Sequence, residues 1–192
     1  MNLYSLDISI FYFINTTLQN RVFDVIMPFL TDLNKNRPVL VLIGLLLVWM
    51  IVRGGKNVRL PAIMLILTII ASDQLNSSVI KFILERPRPC HVLSGIHLLV
   101  DCGSGYAFPS SHAVNNFAAA VVLSYFIPRG WWAFFSFAAL VAFSRVYVGV
   151  HYPSDVLGGA VIGAFLGALM IALFHVVEYS WMRIRKKPAK GG

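Results

Sequence analysis

The segment SRVYVGVHYPSD, residues 144–155, places three ionisable side chains among apolar neighbours. Burial of a charge without a partner costs free energy, so Arg145, His151 and Asp155 are expected to be functional residues. A histidine beside a carboxylate can act as a base or a nucleophile, and a guanidinium can bind an oxyanion. The order Pro-Ser-Asp also predicts a helix start with Ser154 as its cap, which would turn free backbone N–H groups toward an anion. The segment therefore predicts an anion site suited to phosphoryl transfer.

The composition is typical of a membrane protein. Of the 192 residues, 58% are hydrophobic and 12% are charged, and the mean hydropathy is +0.74. The net charge of +8 does not indicate a nucleic-acid-binding protein, because the basic residues lie at the ends of apolar runs and no nucleic-acid-binding motif is present. We therefore predict an integral membrane protein with no nucleic-acid partner.

Apolar runs predict an all-α polytopic bundle with five or six transmembrane helices. The whole chain, 1–192, is expected to form a single membrane domain that ends in a basic tail at 182–192. Five spans are predicted, at 38–52, 60–80, 110–127, 131–150 and 155–178.

The first 34 residues are harder to interpret, because polar side chains interrupt their apolar pattern. They fit an amphipathic interfacial helix followed by a short re-entrant piece at 22–33. The alternative is one polar-interrupted sixth span over 8–32. The first interpretation is favoured.

Two patterns within the predicted spans indicate helix packing. The second half of the 60–80 span is polar and must face protein or a water-filled cavity; its Asp73 is expected either to pair with a site cation or to bond to a neighbouring helix. Gly159, Gly163 and Gly167 form a ridge of small residues in the last span. Packing of this ridge within the chain is favoured over a homodimer.

Lysine and arginine residues predict the orientation of the spans. The ends near residues 144–155 carry only Lys35 and Arg37 outside the candidate site, so the positive-inside rule puts the site outside the cytoplasm and the C-terminus inside it. We predict a bacterial inner-membrane protein with a periplasmic active site.

Cys90 and Cys102 would then lie where a disulfide can form, and their pairing is left open. The basic tail is expected to contact anionic lipid. The opposite ends of the spans hold Arg53, Lys56, Arg59, Arg129, Arg183, Arg185, Lys186, Lys187 and Lys190.

The predicted span directions bring three polar clusters to one membrane face. The first, KFILERPRP at 81–89, supplies a lysine and arginines, which bind phosphate oxygens. The second, PSSH at 109–112, is a helix start whose hydroxyl and N–H groups can surround an anion. The third is the segment 144–155.

These clusters resemble the three signature motifs of the type 2 phosphatidic acid phosphatase superfamily, in the same order and with the same internal spacing. The motifs extend over about half of the chain. The superfamily includes bacterial lipid phosphatases and undecaprenyl diphosphate phosphatases. One departure is Ser111, where the usual second motif has glycine; its backbone N–H is still available, so only the closeness of phosphate approach is affected.

The resemblance implies a role for each motif residue. His151 would be the nucleophile, Asp155 would orient it, and His112 would be the acid and base, with no metal and no cofactor. Arg86, next to the first motif, is expected to contact solvent or lipid headgroups, and His91, His97 and His175 are expected to be loop or interface residues. The implied phosphate-binding residues are Lys81, Arg88, Ser110, Ser111 and Arg145.

A membrane-embedded lipid phosphate is the predicted substrate. The short loops leave little room for a large sugar headgroup, which favours a polyprenyl diphosphate, such as undecaprenyl diphosphate, or a phosphatidyl phosphate, such as phosphatidylglycerol phosphate. The alternatives are a lipid A phosphatase, and a scaffold or transporter that binds phosphate without turnover.

Overall fold

The computed structural model describes residues 2–33 and 35–185, and this part of the chain consists of helices and loops without any strand. The residues from Lys186 onward, which include most of the predicted basic tail, lie outside the described part. Short π-helical turns follow α1 and α4, at Phe13–Thr17 and Asn76–Ile80. The α-helices of the described part are α1 Leu3–Tyr12, α2 Arg21–Thr31, α3 Arg37–Val52, α4 Lys56–Leu75, α5 Lys81–Leu84, α6 Pro89–Val92, α7 Ser111–Phe126, α8 Trp131–Tyr147 and α9 Pro153–Arg185.

The outer surface of the helices is apolar. Within the described residues, Lys56–Val92 and Pro153–Ile184 are long and apolar enough to cross a membrane, whereas α3 is apolar but shorter. No residue of α3 is buried, and it exposes leucine, valine and tryptophan side chains along its length. Soluble proteins do not expose apolar surface on this scale. The chain is therefore a helical membrane protein.

The glycine ridge of α9 packs against α7. A Cβ atom at Gly163 would lie 2.2 Å from the carbonyl oxygen of Val114, and one at Gly167 would lie 2.7 Å from that of Ala118. Only glycine permits this approach of the two backbones. The ridge thus packs within the chain, which is the interpretation that the sequence favoured.

The polar face of α4 also points toward α7. The hydroxyl of Ser72 donates to Oδ1 of Asn115 at 2.8 Å, and Nδ2 of Asn115 donates to Oδ1 of Asp73 at 2.9 Å. One turn further on, Nδ2 of Asn76 donates to the hydroxyl of Ser111 at 2.9 Å. The expectation that this face is turned inward is confirmed, and Asp73 bonds to the neighbouring helix.

The N-terminal segment forms two helices that pack inward. The chain leaves helical geometry at 18–20, and Asn20 caps α2 by accepting from two backbone N–H groups. A single helix over 8–32 is therefore not observed. Asp7, Phe11 and Asn15 are all buried, because a spacing of four residues puts them on one face. Asp7 and Asn15, two of the polar residues that made this segment ambiguous, thus contact the rest of the protein.

Substitution of Gly163 tests the packing of α9 on α7. Because the new methyl group of Gly163→Ala would meet the Val114 backbone, we expect it to lower the free energy of unfolding by about 1–3 kcal/mol. Gly44→Ala in α3 is the matched control, since no atom lies within 4 Å of its new Cβ. Thermal unfolding in detergent measures both variants. Equal unfolding temperatures for Gly163→Ala and the wild type would contradict the packing.

Candidate active site

A tight turn between α8 and α9 places His151 inside the protein. The backbone N–H groups of Val150 and His151 both donate to the carbonyl of Arg145 at 3.2 Å. Gly149 has φ +90°, and a Cβ atom there would lie 3.1 Å from the carbonyl oxygen of His97. The turn therefore needs glycine. His151 is 1% exposed.

Asp155 is fully buried and faces His151 from the first turn of α9. Its Oδ2 accepts from the backbone N–H of Tyr152 at 2.8 Å and lies 3.5 Å from Nδ1 of His151. The Asp155 side chain thus bonds back to the residue before α9, and the Ser154 hydroxyl donates to Asp7, so the prediction that Ser154 caps the helix is wrong. The helix begins at Pro153, within the predicted Pro-Ser-Asp segment. With Nδ1 directed at the carboxylate, Nε2 of His151 is the nitrogen available for chemistry.

Arg86 binds two carboxylates, so the expectation that it contacts solvent or lipid headgroups is wrong. Its Nη1 donates to Oδ1 of Asp155 and its Nη2 donates to Oδ2 of Asp7, both at 2.6 Å. Asp7 also accepts from the backbone N–H of Ser154 at 2.9 Å. The anion at this helix start is therefore a carboxylate of the protein itself, where the sequence predicted a bound ligand.

The three cations of the predicted phosphate site are held by oxygen atoms of the protein. Nζ of Lys81 donates to the carbonyl of Tyr106 at 3.2 Å, and Nη1 of Arg145 donates to the hydroxyl of Thr31 at 2.8 Å. Arg88 donates to the carbonyls of Gly105, at 2.8 Å, and Cys102. These two carbonyls belong to a loop that the disulfide between Cys90 and Cys102 ties back to α6.

Charged residues from different predicted motifs act on His151. Burial is the main cause that lowers the pKa of His151 well below its usual value, and the positive charges of Arg145, Arg88 and Lys81 lower the pKa further. The imidazole, in the loop between α8 and α9, is therefore neutral near pH 7 and keeps a free electron pair. The three cations lie close enough to act on it, as the predicted convergence requires.

The start of α7 contributes polar groups to the same place. The backbone N–H of Ser110 donates to the carbonyl of Asp155 at 3.1 Å, but the Ser110 hydroxyl does not cap its helix. Buried polar atoms are normally paired, so a group of unpaired ones is a sign of a ligand site. Within the described part of the chain, the site atoms that are buried without a hydrogen-bond partner are Oγ of Ser110, Nε2 of His112, Nε of Arg145 and Nδ1 of His151.

An apolar cavity of about 440 Å³ borders His112. Its walls come from α3, α4, α7, α8 and the end of α2. Leu40, Ile69 and Phe137 are among the apolar lining residues, while His112 and Ser111 form part of the polar wall. The cavity thus joins the polar site to a space that suits a hydrocarbon chain.

The described residues include one cluster of three side chains with metal-ligating atoms, and it does not fit a metal. Cys90, His91 and Cys102 have such atoms within 4.8 Å of one another. The two cysteines are joined in the disulfide, so neither can supply the thiolate that metals bind.

Comparison with known proteins identifies the family. Residues 62–179 match the family model described as PAP2 superfamily. The chain belongs to the PAP2 superfamily. This confirms the resemblance carried by the three motifs.

Three PAP2 relatives show what the chain is similar to. Lipid A 4'-phosphatase of Bacteroides thetaiotaomicron is 33% identical over 132 residues, which cover 65% of this chain and 59% of that protein. This first relative is thus matched over less than two-thirds of its length. Undecaprenyl-diphosphatase BcrC of Bacillus subtilis is 31% identical over 150 residues, which cover 78% of this chain and 74% of that one. The crystal structure of a transmembrane PAP2-type phosphatidylglycerolphosphate phosphatase from Bacillus subtilis has a TM-score of 0.70 and 26% identity, covering 91% of this chain and 87% of that one.

Four residues that support this PAP2 site were not predicted from the sequence. Asp7, Asn15 and Thr31 precede the matched region, and Arg86 lies beside the first motif. Nδ2 of Asn15 donates to the carbonyls of His97 and Tyr147, both at 2.7 Å, and so supports the turn that holds His151. For Asp7 and Asn15, the signal in the sequence was their helical spacing in the N-terminal segment.

Proposed function

We propose that this protein hydrolyses a phosphate monoester or diphosphate of a membrane lipid, without a divalent metal and through a phosphohistidine. The observation that carries the proposal is that a polar, charged site lies next to an apolar cavity. A buried histidine lies beside a carboxylate and near three cations, and an apolar cavity borders the second histidine. A phosphate group in the polar site and a hydrocarbon chain in the cavity would thus bind side by side.

His151 is the nucleophile in this proposal. Its Nε2 attacks phosphorus, the bond from phosphorus to the leaving oxygen breaks, and the histidine becomes phosphorylated. The imidazole gains positive charge as the new bond forms. Asp155 stabilises that charge through Nδ1, at the 3.5 Å distance described above.

His112 completes both halves of the reaction. It protonates the leaving oxygen in the first half, and in the second half it removes a proton from the water that attacks the phosphohistidine. Its place at the wall of the apolar cavity supports this role, because the leaving oxygen is attached to the lipid.

The remaining polar groups stabilise the transferred phosphoryl group. Most of the rate enhancement in phosphoryl transfer comes from positioning and from charges that face the equatorial oxygens. Lys81, Arg88 and Arg145 supply the positive charge, and Ser110 and the backbone N–H of Ser111 supply further donors. The unpaired atoms on Ser110 and Arg145 support this assignment.

A polyprenyl diphosphate or a phosphatidyl phosphate is the proposed substrate. The relatives named undecaprenyl-diphosphatase and phosphatidylglycerolphosphate phosphatase support this choice. Lipid A is the second candidate, because a lipid A 4'-phosphatase is 33% identical to this chain.

We further propose that the chain forms one membrane domain with five transmembrane helices, α3, α4, α7, α8 and α9, in the bacterial inner membrane. The N-terminal helices then lie at the periplasmic face with the site, and the C-terminus is cytoplasmic, where its basic tail contacts anionic lipid. The glycine ridge does not form a homodimer contact in this proposal, since it is occupied by α7.

Phosphate release tests the proposed chemistry. In detergent with excess EDTA, we expect the wild type to release phosphate from undecaprenyl diphosphate or phosphatidylglycerol phosphate faster than from phosphatidate or glucose 6-phosphate. Loss of the nucleophile in His151→Ala should lower kcat by about a thousandfold or more. His175→Ala is the matched control, because this exposed histidine binds Tyr125 on α7 and has no contact with the site.

Each failure of that assay has a distinct meaning. Full activity in His151→Ala would contradict the nucleophile, and loss of wild-type activity in EDTA would contradict metal independence. No hydrolysis of any of these lipids, including lipid A, would favour the phosphate-binding scaffold or transporter.

Cysteine labelling tests whether α3 crosses the membrane. With 16 residues, α3 is about 24 Å long, close to the hydrocarbon thickness of about 30 Å. Lys35→Cys and Gly55→Cys put a thiol at each end of α3, and the native cysteines do not react because they are paired. A membrane-impermeant maleimide added to intact spheroplasts should label Lys35→Cys alone, and Gly55→Cys should react only after lysis. Labelling of both variants in intact spheroplasts would contradict the span.

A further inference from the structure

The N-terminal helix reaches the candidate active site through one carboxylate. Asp7 of α1 is buried, and its Oδ1 accepts from the backbone N–H of Ser154 while its Oδ2 accepts from the Ser154 hydroxyl at 2.5 Å. A carboxylate at the first turn of a helix is stabilised by the unpaired N–H groups and by the helix dipole. Asp7 is therefore fixed at the start of α9 by its hydrogen bonds to Ser154, the residue that precedes Asp155.

Arg86 joins this carboxylate to Asp155. Its guanidinium donates to Asp7, to Asp155 and to the Ser154 hydroxyl, each at 2.6 Å, and it stacks over the Tyr152 ring at 4.0 Å from the centroid. A planar guanidinium with several fixed donors can hold two carboxylates in a defined geometry, which a lysine cannot do. These contacts fix Arg86 on several sides.

The contacts of Arg86 also fix the plane of the Asp155 carboxylate. Oδ1 is held by Arg86, and Oδ2 is held by the Tyr152 N–H and directed at His151. Rotation of the carboxylate away from His151 would break at least one of these hydrogen bonds. The orientation of Asp155 toward His151 thus depends on the position of Arg86.

The charges in this cluster explain why two carboxylates are needed. Arg86 paired with Asp155 alone would cancel the negative charge that faces His151. Because Asp7 shares the same guanidinium, two carboxylates and one cation leave one net negative charge beside the histidine. That charge can stabilise His151 as it becomes positive during attack on phosphorus.

We propose that Asp7 and Arg86 are positioning residues of the reaction, which act on His151 through Asp155. The N-terminal helix, which precedes the family-matched region at 62–179, then completes the catalytic machinery. This inference rests on the proposed function, because it assumes that Asp155 serves His151 in catalysis.

A double-mutant cycle tests the inference. Asp7→Asn keeps the shape of the side chain and removes its charge, and we expect it to lower kcat by about ten- to a hundredfold, as is typical of residues that orient a catalytic group. KM should change less than about twofold, because Asp7 does not contact the phosphate site. In an Asp155→Asn background, Asp7→Asn should cause no further loss, since the group through which it acts is gone. Radiolabelled lipid phosphate makes the low rates measurable.

Two more variants make the cycle decisive. Asp24→Asn is the matched control: Asp24 lies in the same N-terminal segment and accepts from the Tyr147 hydroxyl at 2.6 Å, but it has no contact with Asp155. Its kcat should stay within about twofold of the parent protein in each background, the wild type in one and Asp155→Asn in the other. Ser154→Ala is a milder test that keeps both carboxylates, and it should lower kcat several-fold with KM unchanged.

The outcomes separate this inference from the proposed function. Equal losses from Asp7→Asn in the wild-type and Asp155→Asn backgrounds would overturn the inference, since they indicate a purely structural role. Unchanged kcat in both Asp7→Asn and Ser154→Ala would also overturn it. Full activity of Asp155→Asn would instead contradict the role of Asp155 in the proposed function.

Discussion

The structure depends on one buried carboxylate, that of Asp155. A charge that is fully removed from water is tolerated only where donors and an opposite charge surround it. The backbone N–H of Tyr152, the guanidinium of Arg86 and the ring of His151 meet this requirement. These groups come from the loop after α5 and from the turn before α9, so the carboxylate holds separate parts of the chain together.

Charges of both signs act on His151. Its Nδ1 faces Asp155, which shares Arg86 with Asp7, while the positive charges of Lys81, Arg88 and Arg145 lower its pKa. A neutral imidazole near both anionic and cationic groups is well suited to accept a phosphoryl group, because each kind of group stabilises one of the charges that develop. The apolar cavity beside His112 adds space for a hydrocarbon chain. Charge and cavity together support a lipid phosphatase.

The sequence predicts the residues within each motif better than the contacts between distant segments. A helix start at Pro153-Ser154-Asp155 was predicted because its signals are local. The failure of Ser154 to cap the helix was not, since its N–H and its hydroxyl both donate to Asp7, 147 residues away in sequence. In the same way, the spacing of Asp7 and Asn15 indicates a common helix face, but no local pattern says what that face contacts.

The face that α4 turns toward the protein, in contrast, was predictable from its hydropathy pattern. The polar half of α4 had to face protein, and its hydrogen bonds to Asn115 and Ser111 agree with this. The glycine ridge predicted a close helix contact but could not name the partner, because GxxxG spacing describes one surface only. Arg86 was misinterpreted for a related reason. Its acidic partners, Asp7 and Asp155, are distant in sequence, so no local pattern shows that it binds them.

The most direct test of the account is to locate the phosphoryl group on the protein during turnover. The protein is mixed with a lipid substrate that carries a radiolabelled phosphate, quenched in alkali within the first turnover, digested and analysed by mass spectrometry. We expect label on the peptide that contains His151, stable in alkali and lost in acid, as is typical of a phosphorus–nitrogen bond. Label on another residue, or turnover with no protein-bound label at any time, would contradict it.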